Sequence, residues 1–291
     1  MRFISRFLLL SLCFLATETF AVEIPPSPAG GGWFQIYAPG DFAFVTDSRD
    51  FDINLQKNGF TIEAWIYITR TLEPFVWAEN PAEQKLRDLW VVFEKADSYR
   101  LSILPNHRAR FLLQGPGFSH TFSFPGHLLQ MNQWHYLSVM FAEDYYQLVV
   151  DNKLRGSLYL NRIGLQDLNN TDGVFSVGGG EGPPSGDIDK KWLWNPFTAG
   201  MIDEVRVSDI IRYPKEELNA NEWSDVTEIP EGPFEPDEHT IALWHFDFEK
   251  MGDSKWGDAS GNGHHLRYKG DYLEVQPRNR LTTTWGKLKR R

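Results

Sequence analysis

Short runs in which apolar and polar residues alternate follow one another along the chain from residue 33 onward. The clearest is FTIEAWIYI, residues 60–68. Ile62, Ala64, Ile66 and Ile68 fall on one side of it, and Thr61, Glu63, Trp65 and Tyr67 fall on the other. A period of two is typical of a β-strand with one face in a core, and not of a helix.

Further runs of this kind are separated by turn signals. Three pairs of strings flank turn signals: the two halves of FQIYAPGDFAFV around 39–41, YRLSIL and RARFLLQG around 105–107, and QWHYLSVMF and YYQLVVDNKLRG around 143–144. Four further strings predict single strands: LWVVFEK, GVFSVGGG, AGMIDEVRVSD and IALWHF. FQIYAPGDFAFV predicts a pair of short strands joined by a turn, and Asp151-Asn152-Lys153 predicts another tight turn. In AGMIDEVRVSD, the alternation predicts one face for Met201, Asp203, Val205 and Val207.

Helical patterns are scarce. One turn is predicted near Ala82–Leu86 inside a long loop, and one short helix over Lys215–Asn221. About a dozen short strands at regular spacing indicate a β-sandwich or a closed barrel.

The organisation of the chain follows from shifts in composition. We predict a signal peptide at 1–21, a Pro/Gly linker at 22–32, the main domain at 33–222, a Pro- and acid-rich connector at 223–240, a strand and turn region at 241–275, and a basic tail at 276–291. The first segment begins with Arg2 and Arg6, and its apolar run is too short to span a bilayer. We therefore expect a protein that is secreted, periplasmic or on the cell surface, with no membrane span after cleavage.

Charge and cysteine content narrow the function classes. The chain carries 39 acidic against 29 basic residues, a net charge of −10, which disfavours nucleic acid as a partner. Its one cysteine, Cys13, lies in the predicted signal peptide. The mature chain would then have no disulfide, no thiol nucleophile and no zinc–cysteine site.

Four strings carry a resemblance to a known family: GFTIEAWIYI, QWHYLSVMF with YYQLVVDNKLRG, FSVGGG and AGMIDEVRVSD. In this order and spacing they resemble the laminin-G-like (concanavalin A-like lectin/glucanase) domain of secreted bacterial proteins, over residues 33–222. The resemblance implies an all-β, concanavalin A-like jelly-roll β-sandwich of two antiparallel sheets, with long loops and one or two short helical turns.

One string departs from the family's order. A sequence like LWHFDFE…DASGNGHHL normally opens such a module, but here residues 243–266 follow the body. Either this region closes the same sandwich, the interpretation we favour, or it is a remnant of a second module. Its His264 and His265 are adjacent, so on a strand they would point to opposite faces and would not chelate one metal together.

The resemblance also suggests a calcium site at Asp203. Related secreted β-glucanases hold a structural calcium with an Asp at the like position and backbone carbonyls, a ligand set that calcium prefers. The alternative is that Asp203 caps a neighbouring backbone N–H.

A second candidate site is the loop at 181–195. Pentraxins place calcium near here, so Glu181, Asp187 and Asp189 could supply ligands, with Asp189 the metal candidate. Trp192 and Trp194 could stack on sugar rings beside Glu181 and Asp187. The alternative is a solvated acidic loop whose tryptophans are tucked into the sandwich. Trp77 and Trp90 are instead expected in the core.

Catalytic motifs are missing from the sequence. Related glucanases carry Glu-x-Asp-x-x-Glu on one strand, whereas IEAW offers a single carboxylate and IDEVRV is predicted to place Asp and Glu on opposite faces. We therefore expect no enzyme but a binding module, with carbohydrate as the first hypothesis. A cell-surface module for extracellular protein partners is the alternative, and a divergent glycoside hydrolase is the second alternative.

Overall fold

The computed structural model describes residues 24–35, 42–53, 59–69, 90–104, 106–123, 129–141, 145–159, 168–180, 200–213, 223–225, 229–247 and 255–269. The predicted signal peptide, basic tail and helical turns at 82–86 and 215–221 lie outside these ranges. Within them, no helix is long and apolar enough to cross a membrane. The one helical element there is a 3₁₀ turn, Arg49–Phe51 (η1).

The predicted all-β sandwich is confirmed, because every strand pairing that the structure describes is antiparallel and forms part of one of two sheets. The first sheet contains Phe34–Gln35 (β1), Phe60–Ile68 (β3), Trp134–Phe141 (β8), Tyr145–Val150 (β9), Lys153–Tyr159 (β10), Gly200–Ser208 (β12), Trp223–Asp225 (β13) and Thr240–Trp244 (β14). Its order is β1-β12-β3-β8-β9-β10-β13, and β14 also pairs with β12.

The second sheet packs against the first. It contains Phe42–Val45 (β2), Trp90–Lys95 (β4), Tyr99–Ile103 (β5), Ala109–Gly115 (β6), Phe118–Ser123 (β7), Phe175–Val177 (β11), Lys255–Trp256 (β15) and Leu266–Lys269 (β16). Its order is β15-β16-β2-β11-β4-β5-β6-β7. The edge strand β7 was not predicted from the sequence.

The core between the sheets contains the residues of β3 that the alternation predicted to face inward. Ile62, Ala64, Ile66 and Ile68 all belong to the central cluster, together with rings such as Trp90. Trp90 is fully buried, as predicted. The structure also confirms the predicted hairpins β5–β6 and β9–β10, and at the second of them Asp151 takes a φ of 52°.

The predicted pair of strands around residues 39–41 is wrong in one respect. β1 and β2 do not pair with each other, because β1 pairs with β12 in the first sheet and β2 pairs with β11 and β16 in the second.

The C-terminal region adds strands to both sheets. Trp244 of β14 lies opposite Val205 of β12, and Tyr268 of β16 lies opposite Ala43 of β2. The strands β14, β15 and β16 therefore extend the sheets built by the rest of the chain.

The outer face of the first sheet is covered by the chain itself. Trp65, Tyr136 and Met140 point outward and form a second buried cluster under residues from outside the large strands, Ala29, Tyr213 and Phe234. Segments predicted as a linker (22–32) and a connector (223–240) thus belong in part to the fold. The physical reason is that such large apolar side chains on an outward face need cover from water.

Candidate functional site

The predicted loop site falls outside the described residues. This holds for Glu181, Asp187, Asp189, Trp192 and Trp194, whose roles stay predictions. The described chain stops at Gly180 and starts again at Gly200, which lies opposite Ile68. A Cβ at Gly200 would come 1.5 Å from the carbonyl oxygen of Tyr67, so the chain can enter β12 this closely only with glycine.

Asp203 lies at a β-bulge that the alternation did not predict. Asp203 is opposite Trp65 and Arg206 is opposite Glu63, so two residues of β12 face the single Ala64 of β3. Between them Glu204 has a φ of 51°, an uncommon value for a residue other than glycine. The extra residue shifts the alternation of the strand by one position.

The bulge corrects two predictions about faces. Ile202 and Val205 both point into the central core, so Asp203 does not share a face with Val205. Asp203 and Glu204, predicted on opposite faces, both lie on the outer side of the sheet. Each is buried there, with 0% and 2% of its surface exposed.

The carboxyl of Asp203 is only partly satisfied. Its Oδ1 accepts the N–H of Glu204 at 2.9 Å, and the Ser27 hydroxyl lies beside the group. Its Oδ2 has no hydrogen-bond partner of acceptable geometry. Burial raises the pKa of Asp203 to about 9, and the carboxylates of Glu204 and Asp247 add to the rise.

Glu204 bonds the residues that cover the outer face, around Phe234, to the first sheet. Its Oε2 accepts the N–H of Phe234 at 3.0 Å, and both oxygens lie 2.8 Å from Nδ1 of His245. The bond to Glu204 raises the pKa of His245. Both oxygens of Glu204 thus have a partner within the protein.

Glu63, the carboxylate of IEAW, belongs to a buried polar network under the same cover. Its Oε1 accepts Nε of Arg206 at 2.5 Å, and its Oε2 accepts the hydroxyl of Tyr136. The Tyr136 hydroxyl also lies 2.6 Å from that of Tyr213. Burial and Glu63 raise the pKa of Tyr136 far above its ordinary value. Glu63 is fully buried, so this arrangement holds the layers together and presents no carboxylate to a substrate.

An aromatic pair lies at the surface where β3 ends and β8 begins. The rings of Trp33 and Trp134 are half-buried, 6.2 Å apart and inclined by 58°. Trp134 also contacts Tyr67 at 5.3 Å, and its Nε1 donates to the carbonyl of Pro25 at 2.9 Å. Neither tryptophan was predicted from the sequence as a site residue. The pair could not be predicted because 100 residues separate its members.

A polar cleft opens where β2 and β16 part. It has a volume of about 230 Å³ and is lined by residues 45–48, 263–265 and 267. The sequence drew attention to the two histidines here, but not to the facing residues 45–48. Within the ranges that the structure describes, no group of three or more His, Cys, Asp or Glu side chains could hold a metal.

Comparisons with known proteins agree with this architecture. The model of the concanavalin A-like lectin/glucanases superfamily, laminin-G type, matches residues 43–216. No curated protein sequence gives a significant match.

Three solved structures illustrate the likeness in fold. Domains LG4-5 of the mouse laminin α1 chain are 14% identical, with a TM-score of 0.41 over 70% of this chain and 49% of that one. CBM40 of the Ruminococcus gnavus IT-sialidase, bound to α2,6-sialyllactose, is 11% identical, with a TM-score of 0.38 over 59% and 89%. The heptameric pentraxin of Limulus polyphemus is 10% identical, with a TM-score of 0.35 over 64% and 81%.

Proposed function

Because this chain belongs to the concanavalin A-like lectin/glucanases superfamily, we propose that it is a secreted, non-catalytic module that binds carbohydrate. The fold alone hosts both binding modules and enzymes, so the proposal depends on the site. The observation that carries it is the half-buried pair of Trp33 and Trp134. Aromatic faces of this kind offer a large apolar surface for the ring of a sugar.

The position of the pair extends the proposal to the predicted loop site. Tyr67, which contacts Trp134, lies next to Ile68, and Ile68 is the partner of Gly200. Gly200, at which the described chain resumes after the segment with Trp192 and Trp194, therefore lies beside the aromatic pair. We assign these two tryptophans, with Glu181 and Asp187, to the same binding surface.

Two features of the described residues support a non-catalytic role. The buried Glu63 is ion-paired with Arg206, and Glu204 is bonded to His245 and the Phe234 N–H. Glycoside hydrolysis requires two carboxyl groups that face the substrate, and Glu63 and Glu204 do not form such a pair.

Alanine at Trp33 or Trp134 is expected to weaken glycan binding at least about tenfold, because a tryptophan at the centre of a contact is a frequent hot spot. A glycan array identifies the ligand, and calorimetry on the mature chain measures the loss. Phe118→Ala is the matched control, since Phe118 is a half-buried ring on the distant edge strand β7. If the wild type binds no glycan on the array, a protein partner is favoured instead.

Our proposal includes a structural calcium at Asp203, with Asp247 as the neighbouring carboxylate. The orphaned Oδ2 of Asp203 supports this assignment, because a fully buried oxygen without a partner is costly unless something binds it. Hard oxygen donors are those that calcium prefers, and the ion would supply the charge that favours an ionised Asp203. Asp189 stays a predicted ligand of a second site.

Asp203→Asn tests the calcium assignment. At a calcium concentration 100-fold above Kd, the wild type is expected to gain about 2.7 kcal/mol, a rise in Tm of roughly 5–10 °C that chelator removes. The variant should gain nothing from calcium. Without calcium its Tm should be at least that of the wild type, because the raised pKa already keeps the buried carboxyl protonated at neutral pH. Equal Tm values of the wild type with and without chelator would rule the calcium out.

A further inference from the structure

The polar cleft between β2 and β16 has the donors of an anion site. Tyr268 and Ala43 are still paired, but beyond Arg267 and Phe44 the two chains diverge. Residues 45–48 then form one wall and residues 263–265 the other. The cleft is smaller than the roughly 300–1,000 Å³ of pockets that enclose whole drug-sized ligands. It therefore suits one charged group or one ring of a larger molecule.

Asp47, which lines the cleft, and Asp50, which contacts the lining residue His264, already have cationic or donor partners. Asp47 forms an ion pair with the fully buried ammonium of Lys95. Oδ2 of Asp50 lies 3.0 Å from Nε2 of His264 and accepts the Ser48 hydroxyl at 3.0 Å. Each of these two carboxylates thus has a donor within the protein, and Lys95 also lies 3.6 Å from Asp52.

The remaining side chains present donors. Nδ1 of His265 accepts the N–H of Asp258 at 3.0 Å, so in the neutral ring the proton sits on Nε2. His265 is exposed and can offer that N–H to a ligand. Arg267 is exposed too, and it has no side-chain hydrogen bond or ion pair within the described part of the chain. The exposed Thr46 adds a hydroxyl.

We propose that this cleft binds the acidic group of a saccharide, a carboxylate or a sulfate, with Arg267 as the ionic contact and His265 and Thr46 as hydrogen-bond donors. A guanidinium matches the paired oxygens of either group. This specificity rests on the proposed carbohydrate-binding function and adds a subsite to it. The subsite is distinct from the aromatic pair, because neither Trp33 nor Trp134 is among the residues that line the cleft.

Calorimetry with three tetrasaccharides tests the subsite: tetragalacturonate for the carboxylate, a carrageenan tetrasaccharide for the sulfate, and a neutral hexose tetrasaccharide. Arg267→Gln is expected to weaken the acidic ligands about tenfold to hundredfold and to leave the neutral one unchanged. Lys269→Gln is the matched control. It removes the same charge two residues along the same strand face, where Lys269 lies over Phe42 and outside the cleft.

The outcomes separate this inference from the proposed function. A loss confined to Arg267→Gln supports the subsite, and the ligand affected tells carboxylate from sulfate. Acidic ligands that bind no tighter than the neutral one, or that are insensitive to Arg267→Gln, overturn the subsite while the Trp33 and Trp134 variants still test the proposed function. If no tetrasaccharide binds the wild type at millimolar concentration, the subsite is also rejected.

Discussion

Replacing Glu63 with alanine is expected to lower the free energy of unfolding by about 3–5 kcal/mol. The substitution leaves the guanidinium of Arg206 buried without its ion-pair partner, and it removes the acceptor of the Tyr136 hydroxyl. Tyr136 is fully buried and Arg206 is only 8% exposed, so water cannot replace the lost contacts cheaply. Urea denaturation of the mature chain measures the change.

The control for Glu63 is an ion pair at the surface. Lys153 and Asp225 also pair across strands, but 41% and 68% of their side chains are exposed. Asp225→Ala should therefore change the free energy of unfolding by less than about 1 kcal/mol. Similar losses from Glu63→Ala and Asp225→Ala would contradict the assignment of Glu63 to a buried structural network.

The second large effect is expected for Trp244→Ala, a loss of about 3–5 kcal/mol. Trp244 of β14 is fully buried, and its ring lies 5.9 Å from Phe175 and 6.3 Å from Phe51. Its Nε1 donates to the carbonyl of His264 at 2.7 Å. The side chain thus joins a strand of the first sheet to the Phe175 ring of the second sheet and to the Phe51 ring of η1.

Thermal and urea unfolding of the Trp244→Ala variant also test whether residues 240–269 are an integral part of the sandwich. We expect one cooperative transition, shifted as a whole, because this region pairs with β12 and β2. Trp33→Ala serves as the control of the same residue type, since Trp33 is half-buried and should cost far less. A separate early transition with an unchanged main one would mean that the region folds independently.

Prediction from the sequence succeeded where a local pattern and the final fold agree. In β3, the positions 62, 64, 66 and 68 face the core as the alternation indicated. The turn at Asp151-Asn152 was recognisable because Asp and Asn tolerate a positive φ, and Asp151 has one. These features depend on neighbours in the chain, so a single sequence is enough to find them.

The prediction of faces failed in β12, where one extra residue interrupts the alternation and no residue type in the sequence indicates it. Asp203-Glu204-Val205 contains no glycine to indicate a bulge, yet Glu204 adopts a φ of 51° and shifts the strand. The bulge decides that Asp203 and Glu204 share the outer side, where one carboxyl is left partly unsatisfied and the other holds His245. The pairing with β3 imposes this shift, and the residue types alone do not show it.

The sequence by itself determined the class of the fold, the inner face of β3, several of the hairpins and the family. Only the tertiary structure decided which distant segments meet. The N–H of Gly32 bonds to Asp247 across 215 residues, Phe234 covers Tyr136, and residues 263–265 face residues 45–48 across the cleft. Alternation reports which side of a strand is apolar, but it carries no information on which distant segment will cover that side. The covered face, the aromatic pair and the polar cleft all arise from such long-range contacts.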